Sequence, residues 1–179
     1  KLKLAEQRYR AMFENAAEGI FHLAPGSKLA AANAALAEML GYSGAQAVLN
    51  AGLVVRDVLV NPAVEAELLS RLKAFGVVPG TDVSVRRSDG QERILWVTLR
   101  AVHDVRGNIE FIEGRAMDVT DERRIREELE TNRERLRLAL ETSSDGIWDY
   151  DVLSGQCYYS PRYFTMLGYE PDLSEQPRE

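Results

Sequence analysis

The chain is predicted to be α+β, with a β-hairpin, a helical middle and a closing run of three strands, followed by the front of a second copy of the same module. Three observations lead there. Short strand-like runs open and close the first two thirds of the sequence, helical periodicity lies between them, and one register of matches recurs further along. Met-Leu-Gly-Tyr occurs at residues 39–42 and again at 166–169, with its glycines 127 positions apart (168 − 41). EGIF at 18–21 meets DGIW at 145–148 at the same offset (146 − 19), as do Leu2 with Leu129, Arg8 with Arg135, Arg10 with Arg137 and Glu14 with Glu141. The period far exceeds that of a solenoid repeat, so each copy is expected to be a domain.

The expected organisation is the end of a helix at residues 1–12, a first domain at 13–120, a helical linker at 121–139 and the N-terminal part of a second domain at 140–179. About 40 residues bury too little apolar surface to offset chain entropy. The second copy is therefore expected to be poorly ordered or completed by another chain, and the sequence to be cut from a longer protein with a further signalling element before Lys1.

Within the first copy, GIFHLA and SKLAAAN flank Pro25-Gly26 and predict a hairpin. AALAEMLGY turns helical, with Leu36, Met39 and Leu40 on one stripe and Gly41 placed to end the helix in the left-handed region. NPAVEAELLSRLKAFG predicts a second helix with Asn61 as N-cap, Pro62 in its first turn and Gly76 as its stop. TDVSVRR, RILWVTLRAV and IEFIEGRAMDV follow as strands, punctuated by Ser88-Asp89-Gly90 and Arg106-Gly107-Asn108. In the middle strand Leu95, Val97, Leu99 and Ala101 share the face expected to meet the helices, and Trp96, Thr98 and Arg100 share the other. Ile112, Gly114 and Ala116 are the matching face of the last strand.

Composition bounds the function. With 45% apolar and 28% charged residues the first copy can build a core of its own. A net charge of −6 with interspersed signs offers no basic face to nucleic acid or anionic lipid. No run approaches the roughly 18 apolar residues of a membrane span. Cys157 stands alone, which points to a reducing cytoplasm, either as a free protein or as the cytoplasmic part of an anchored sensor. There is no phosphate-cradling glycine loop, no zinc-spaced Cys/His set and no Gly-x-Ser-x-Gly elbow, so any catalytic module is expected outside these residues.

The linker is the most informative segment. Residues 121–140 lack proline and glycine, Arg123, Arg124 and Arg126 precede Glu127, Glu128 and Glu130 by four residues, and Thr120 is placed as N-cap before Asp121 and Glu122. Ile125, Leu129, Asn132, Leu136 and Ala139 fall at spacings of four and three, a narrow coiled-coil seam. A parallel homodimer is expected, with Asn132 fixing register; the plainer reading is a solvated spacer helix. Leu2, Ala5, Tyr9 and Met12 repeat the spacing at the chain start.

The Gly-Ile of the first strand, Asn33-x-x-Leu36, MLGY and the closing Asp118-Val-Thr120 together resemble a PAS domain, across the whole first copy and the front of the second. The resemblance implies a five-stranded antiparallel sheet with helices across one face, a small-molecule pocket, and a sensory or relay role ahead of a histidine kinase or nucleotide cyclase in the same polypeptide. It also implies that Asp118 pairs with a basic residue at the strand-to-helix junction, Arg123 or Arg124 here. Phe21, Leu95, Val97, Leu99, Ile112 and Gly114 are the expected pocket lining. Haem is disfavoured, because His22 alternates outward and His103 stands at a strand end; a covalent flavin photosensor is disfavoured, because the first copy has no cysteine. A small metabolite, a noncovalent flavin and a core filled by aliphatic side chains are the remaining alternatives. The last of these would leave a module for dimerisation or protein interaction alone.

Overall fold

The hairpin expected from GIFHLA and SKLAAAN is the first sheet element of a computed structural model that describes residues 2–142 and 145–169. It pairs β1 (Gly19–Ala24) with β2 (Lys28–Ala32) around a turn in which Gly26 takes a φ of 79°. Ahead of it lies α1 (Leu2–Glu14). Apart from Met12, which is exposed, the stripe expected on this helix at Leu2, Ala5 and Tyr9 falls on side chains outside the described residues.

After the hairpin come α2 (Ala34–Met39), α3 (Ala45–Asn50), α4 (Val55–Val58) and α5 (Ala63–Phe75), then β3 (Val77–Arg86), β4 (Glu92–His103) and β5 (Ile109–Asp118). The strands form one antiparallel sheet in the order β2-β1-β5-β4-β3, so the first and last strands of this sheet, β1 and β5, lie side by side within it. Alternation decides which face is covered. Leu95, Val97, Leu99 and Ala101 are buried with Phe21, Leu23, Val83, Val85, Ile112 and Ala116, while Trp96 and Arg100 remain exposed. Leu36, Leu68 and Leu72 bring α2 and α5 into the same core.

Two details depart from the sequence reading. β3 starts at Val77, four residues before TDVSVRR, because a bulge between Val78 and Thr81 absorbs Pro79 and Gly80 on an edge strand, where proline's missing N–H leaves no ladder partner wanting. α3 and α4 were not expected, since one and two turns are too short to display a helical period. α5 begins one residue later than expected: the carboxamide of Asn61 accepts from Ala63 N (3.1 Å), and Pro62 occupies the cap. Gly76 closes the helix at a φ of 72° as anticipated, with its N–H donating to Leu72 O at 2.8 Å.

The repeated tetrapeptide ends α2. Gly41 takes a φ of 82° and Tyr42 N donates to Ala37 O at 2.8 Å. The β3–β4 turn completes the cap: Ser88 N donates to Leu40 O, Ser88 Oγ to Gly41 O and Arg87 Nη1 to Glu38 O. In that turn the Gln91 backbone N–H, with help from Arg87, holds the Asp89 carboxyl below its ordinary pKa.

The chain divides into two compact units, Lys1–Arg123 and Arg124–Glu179, and α6 (Thr120–Thr142) runs through the division. In the second unit β6 (Trp148–Tyr150) pairs with β7 (Cys157–Tyr159), and α7 (Pro161–Met166) follows. The register Trp148↔Tyr159 and Asp149↔Tyr158 repeats Phe21↔Ala32 and His22↔Ala31 of the first copy. Residues 143–144 and 170–179 of the expected second-domain segment lie outside the described residues.

Both copies rest on the same contact. A Cβ on Gly19 would come within 3.1 Å of Leu36 Cα, and one on Gly146 within 2.6 Å of Tyr163 Cα, so the helix start packs directly on the strand's glycine. The fully buried Asn33 secures this contact in the first copy. Its Oδ1 accepts from Ile20 N (2.9 Å) and Leu36 N (3.0 Å), and its Nδ2 donates to Phe13 O (3.0 Å) and Glu18 O (2.9 Å). In the second copy Ser160 accepts from the equivalent Ile147 N (3.0 Å) and Tyr163 N (3.3 Å). Asn33→Ala removes all four of these hydrogen bonds from a buried site and is expected to lower stability by about 3–5 kcal/mol. Asn33→Ser keeps the two accepted bonds and is expected to cost less; urea unfolding midpoints at constant slope rank the variants.

Candidate functional site: the core cavity and the strand-to-helix junction

Between the sheet and the helices lies a cavity of about 90 Å³ whose lining is entirely apolar. Of the residues expected around a pocket, Phe21, Leu95, Val97 and Leu99 line it, and Ala116 does as well. Ile112 is buried in the same core but stands off the cavity. Gly114 is screened by the Phe21 ring, which lies where a Cβ on that glycine would stand. This close approach is why the strand carries a glycine there, and it sends the Phe21 ring toward the cavity.

The sequence reading missed most of the wall. Leu23 and Leu29 of the hairpin, Leu36 of α2 and its C-cap Leu40, Leu68 of α5 and Val83 and Val85 of β3 contribute, and so does the run at 53–59. The alternation of Val83 and Val85 in VSV was a usable signal. The run LVVRDVLV has neither a strand nor a helix period, so its apolar content had no direction from sequence alone.

The cavity is small beside the roughly 300–1,000 Å³ of drug-sized ligand pockets, and it offers no polar side chain to the heteroatom edge of a flavin or the propionates of a haem. Neither histidine reaches it. His22 lies on the opposite face of β1, with its ring 5.1 Å from Phe111 and 6.3 Å from Phe13, and His103 is exposed at the end of β4. Cys157 belongs to the second unit. No group of three or more His, Cys, Asp or Glu residues is placed to hold a metal among the described residues.

The second feature is the passage from β5 into α6. Asp118 Oδ1 accepts from Thr120 N (3.0 Å) and from the Thr120 hydroxyl, whose oxygen in turn accepts from Ile94 N at 2.9 Å. Val119 N donates to Ile94 O at 3.0 Å, so both backbone groups of one β4 residue are tied to the junction. Thr120, expected as an N-cap, instead opens α6 and spends its hydroxyl on the neighbouring strand.

The basic partners also differ from the expectation. Arg123 pairs with Asp82 of β3, Nε to Oδ2 at 2.7 Å and Nη2 to Oδ1 at 3.1 Å. Asp118 faces Arg93 of β4 at 4.0 Å, and Arg124 is exposed. One helical turn past the junction carries Arg123 over β4 to the edge strand, so it reaches Asp82 rather than Asp118. Three strands are thereby connected to the first turn of α6.

Beyond that turn α6 is polar except for its seam and Leu138 and Leu140. Ile125, Leu129, Asn132, Leu136 and Ala139 are all exposed in this single chain, Ile125 and Leu129 by about two thirds. No helix among the described residues is long and apolar enough to cross a membrane.

Comparison with known proteins agrees with this architecture. The family model for the PAS domain matches residues 7–75 and 134–179, one segment in each copy. Among solved structures, a PAS domain from Colwellia psychrerythraea is similar at 16% identity, with 66% of this chain and 98% of that one covered and a TM-score of 0.58. A sensory box histidine kinase/response regulator from Burkholderia thailandensis E264 is 23% identical over 73% of this chain and 98% of its own, with a TM-score of 0.53. An RNA-binding light-oxygen-voltage receptor is 21% identical over 75% of this chain and 38% of its own, with a TM-score of 0.61. No curated protein sequence matches the chain. At these identities the structural likenesses speak for the fold, and the family model, which spans more than half of the sequence, gives the assignment: the chain belongs to the PAS domain family.

Proposed function

We propose that the chain is a non-catalytic sensory and relay module of a multidomain signalling protein, in which strain in the sheet of the first unit passes into α6 and is read by a paired α6 of a second copy. The observation that carries this reading is the double engagement of Ile94 by Thr120 and Val119. A helix whose first turn is bonded to a central strand must move when that strand shifts or flexes. The exposed seam on the same helix supplies a surface for a partner helix, and Asn132 within the seam would fix register once that partner covers it.

A histidine kinase or cyclase output downstream is the expected partner in the same polypeptide, and the kinase half of that expectation is supported by the Burkholderia sensory box kinase among the similar folds. The absence of any long apolar helix among the described residues suits a cytoplasmic setting, free or attached to an anchor elsewhere. The small volume of the cavity favours a second reading, a ligand-free module that only dimerises and docks.

Two measurements test the relay. Light scattering of the purified chain is expected to report a dimer, and Leu129→Glu with Leu136→Glu a monomer whose far-ultraviolet circular dichroism still shows a folded first unit; a dimer that survives both changes would remove the helix-pairing argument. At the junction, Thr120→Val leaves Ile94 N without its acceptor and is expected to cost about 1–3 kcal/mol. The partly exposed Arg123→Gln should cost under about 1 kcal/mol. Thermal or urea unfolding gives the order, and a larger loss at Arg123 would mean that its pair with Asp82, rather than Thr120, ties the helix to the sheet.

A further inference from the structure

The boundary of the core cavity is thinnest along residues 53–59. Leu53, Val54, Val55 and Val58 line the cavity and are only half-buried, whereas its other lining residues are buried, so its cover is least there. The other walls are sheet strands or the helices α2 and α5. The 53–59 backbone is pinned at its two ends. Leu29 N donates to Leu53 O (2.9 Å) and Val55 N to Ser27 O (3.0 Å) on the β2 side, and Val60 N donates to Ser84 O (3.0 Å) on the β3 side. Between these pins the backbone forms only the single turn of α4. A segment with so few backbone bonds belongs to the low-stability end of a fold.

One buried charge faces this segment. Glu65, in the first turn of α5, is 8% exposed. The helix dipole favours an acid in that turn, but it would do so equally at the surface, and a carboxylate taken out of water is costly unless it is paired. Its partner is Arg56 of α4, Nε to Oε2 at 3.3 Å; the arginine side chain is 64% exposed and the glutamate 10%. A largely solvated side chain on the thin wall therefore grips a buried carboxylate on a thirteen-residue helix.

We propose that residues 53–59 form the entrance to the core cavity, that the Arg56–Glu65 ion pair is its latch, and that the cavity takes a neutral, apolar molecule of a few heavy atoms. This rests on the sensory reading above and names the class of molecule sensed. The chemistry follows from the lining. An entirely apolar wall leaves any charge or hydrogen-bonding group of a ligand unpaired. The volume is about that of three waters in the liquid, and dry apolar cavities of somewhat larger size accept xenon or benzene. Opening the wall separates Arg56 from Glu65 and takes away the carboxylate's counter-charge, which favours reclosure. Entry is thus governed by one ion pair, whereas affinity is governed by the lining.

Xenon, applied under pressure to the methyl-labelled full chain, is the test. Saturable shifts are expected at methyl groups of Leu36, Leu68 and Val97. Glu65→Gln and Arg56→Gln are each expected to raise amide exchange at Leu59 and the xenon exchange rate about tenfold, in line with loss of a partly buried ion pair, while xenon affinity is unchanged. The reversed pair, Arg56→Glu with Glu65→Arg, is expected to restore part of the difference. A wild-type chain without saturable shifts would overturn the ligand class and leave the closed core. Shifts that saturate with exchange rates unaltered in both variants would overturn the latch. Should Glu65→Gln fail to fold, Arg56→Gln, changed at a mostly solvated side chain, decides the matter alone. Failure of helix pairing is read separately, by the scattering of the Leu129 and Leu136 variants.

Discussion

Asn33 has no access to water, and a buried carboxamide left without partners would cost more than most single interactions return. It meets that constraint by joining three elements at once: the end of α1 through Phe13 O, the lead into β1 through Glu18 O and Ile20 N, and the start of α2 through Leu36 N. Leu36 in turn sits directly on Gly19, a position that a side chain would obstruct. β1 is the strand that joins the hairpin to β5, so the geometry set at Asn33 extends to the sheet centre and from there to the junction with α6.

The second copy repeats part of this arrangement. Ser160 accepts from the same two backbone amides, and Gly146 lies against Tyr163 as Gly19 lies against Leu36. A hydroxyl has one proton where a carboxamide has two N–H bonds, so Ser160 cannot donate both of the ties that Asn33 makes to the preceding helix and strand lead. The surroundings differ in the same direction: Leu40 is buried in the first copy, and its counterpart Leu167 is more than half exposed. The repeated sequence therefore specifies a hairpin, a glycine contact and a helix start in both places.

Legibility followed from how local each determinant is. Gly41 and Gly76 end helices through their own φ, and the alternation along β4 reports burial because its period matches the pleat, so both could be read directly. The fold class, the hairpin and most of the inner face came from such signals. α3, α4 and the wall at 53–59 did not, since their conformation is imposed by contacts with β2 and β3 that no periodicity encodes. The partner of Arg123 was missed for a related reason. Asp82 lies 41 residues away in sequence and comes within reach only because β3 and β4 are neighbours.

These constraints separate two tasks that share one sheet. The inner face is shaped by Phe21 turning over Gly114 and by apolar side chains from α2, α5 and the 53–59 wall, and it has little freedom beyond a small void. The far end of β4, by contrast, presents the backbone of Ile94 to Thr120 and Val119, where a sub-ångström displacement alters hydrogen bonds directly. Ile94 and Leu95 are adjacent in the chain, and Leu95 lines the void. A packed interior transmits displacement rather than absorbing it. A molecule entering beside Leu95 would therefore press on the residue next to the one that anchors α6, and the shortest path from cavity to helix is a single peptide bond.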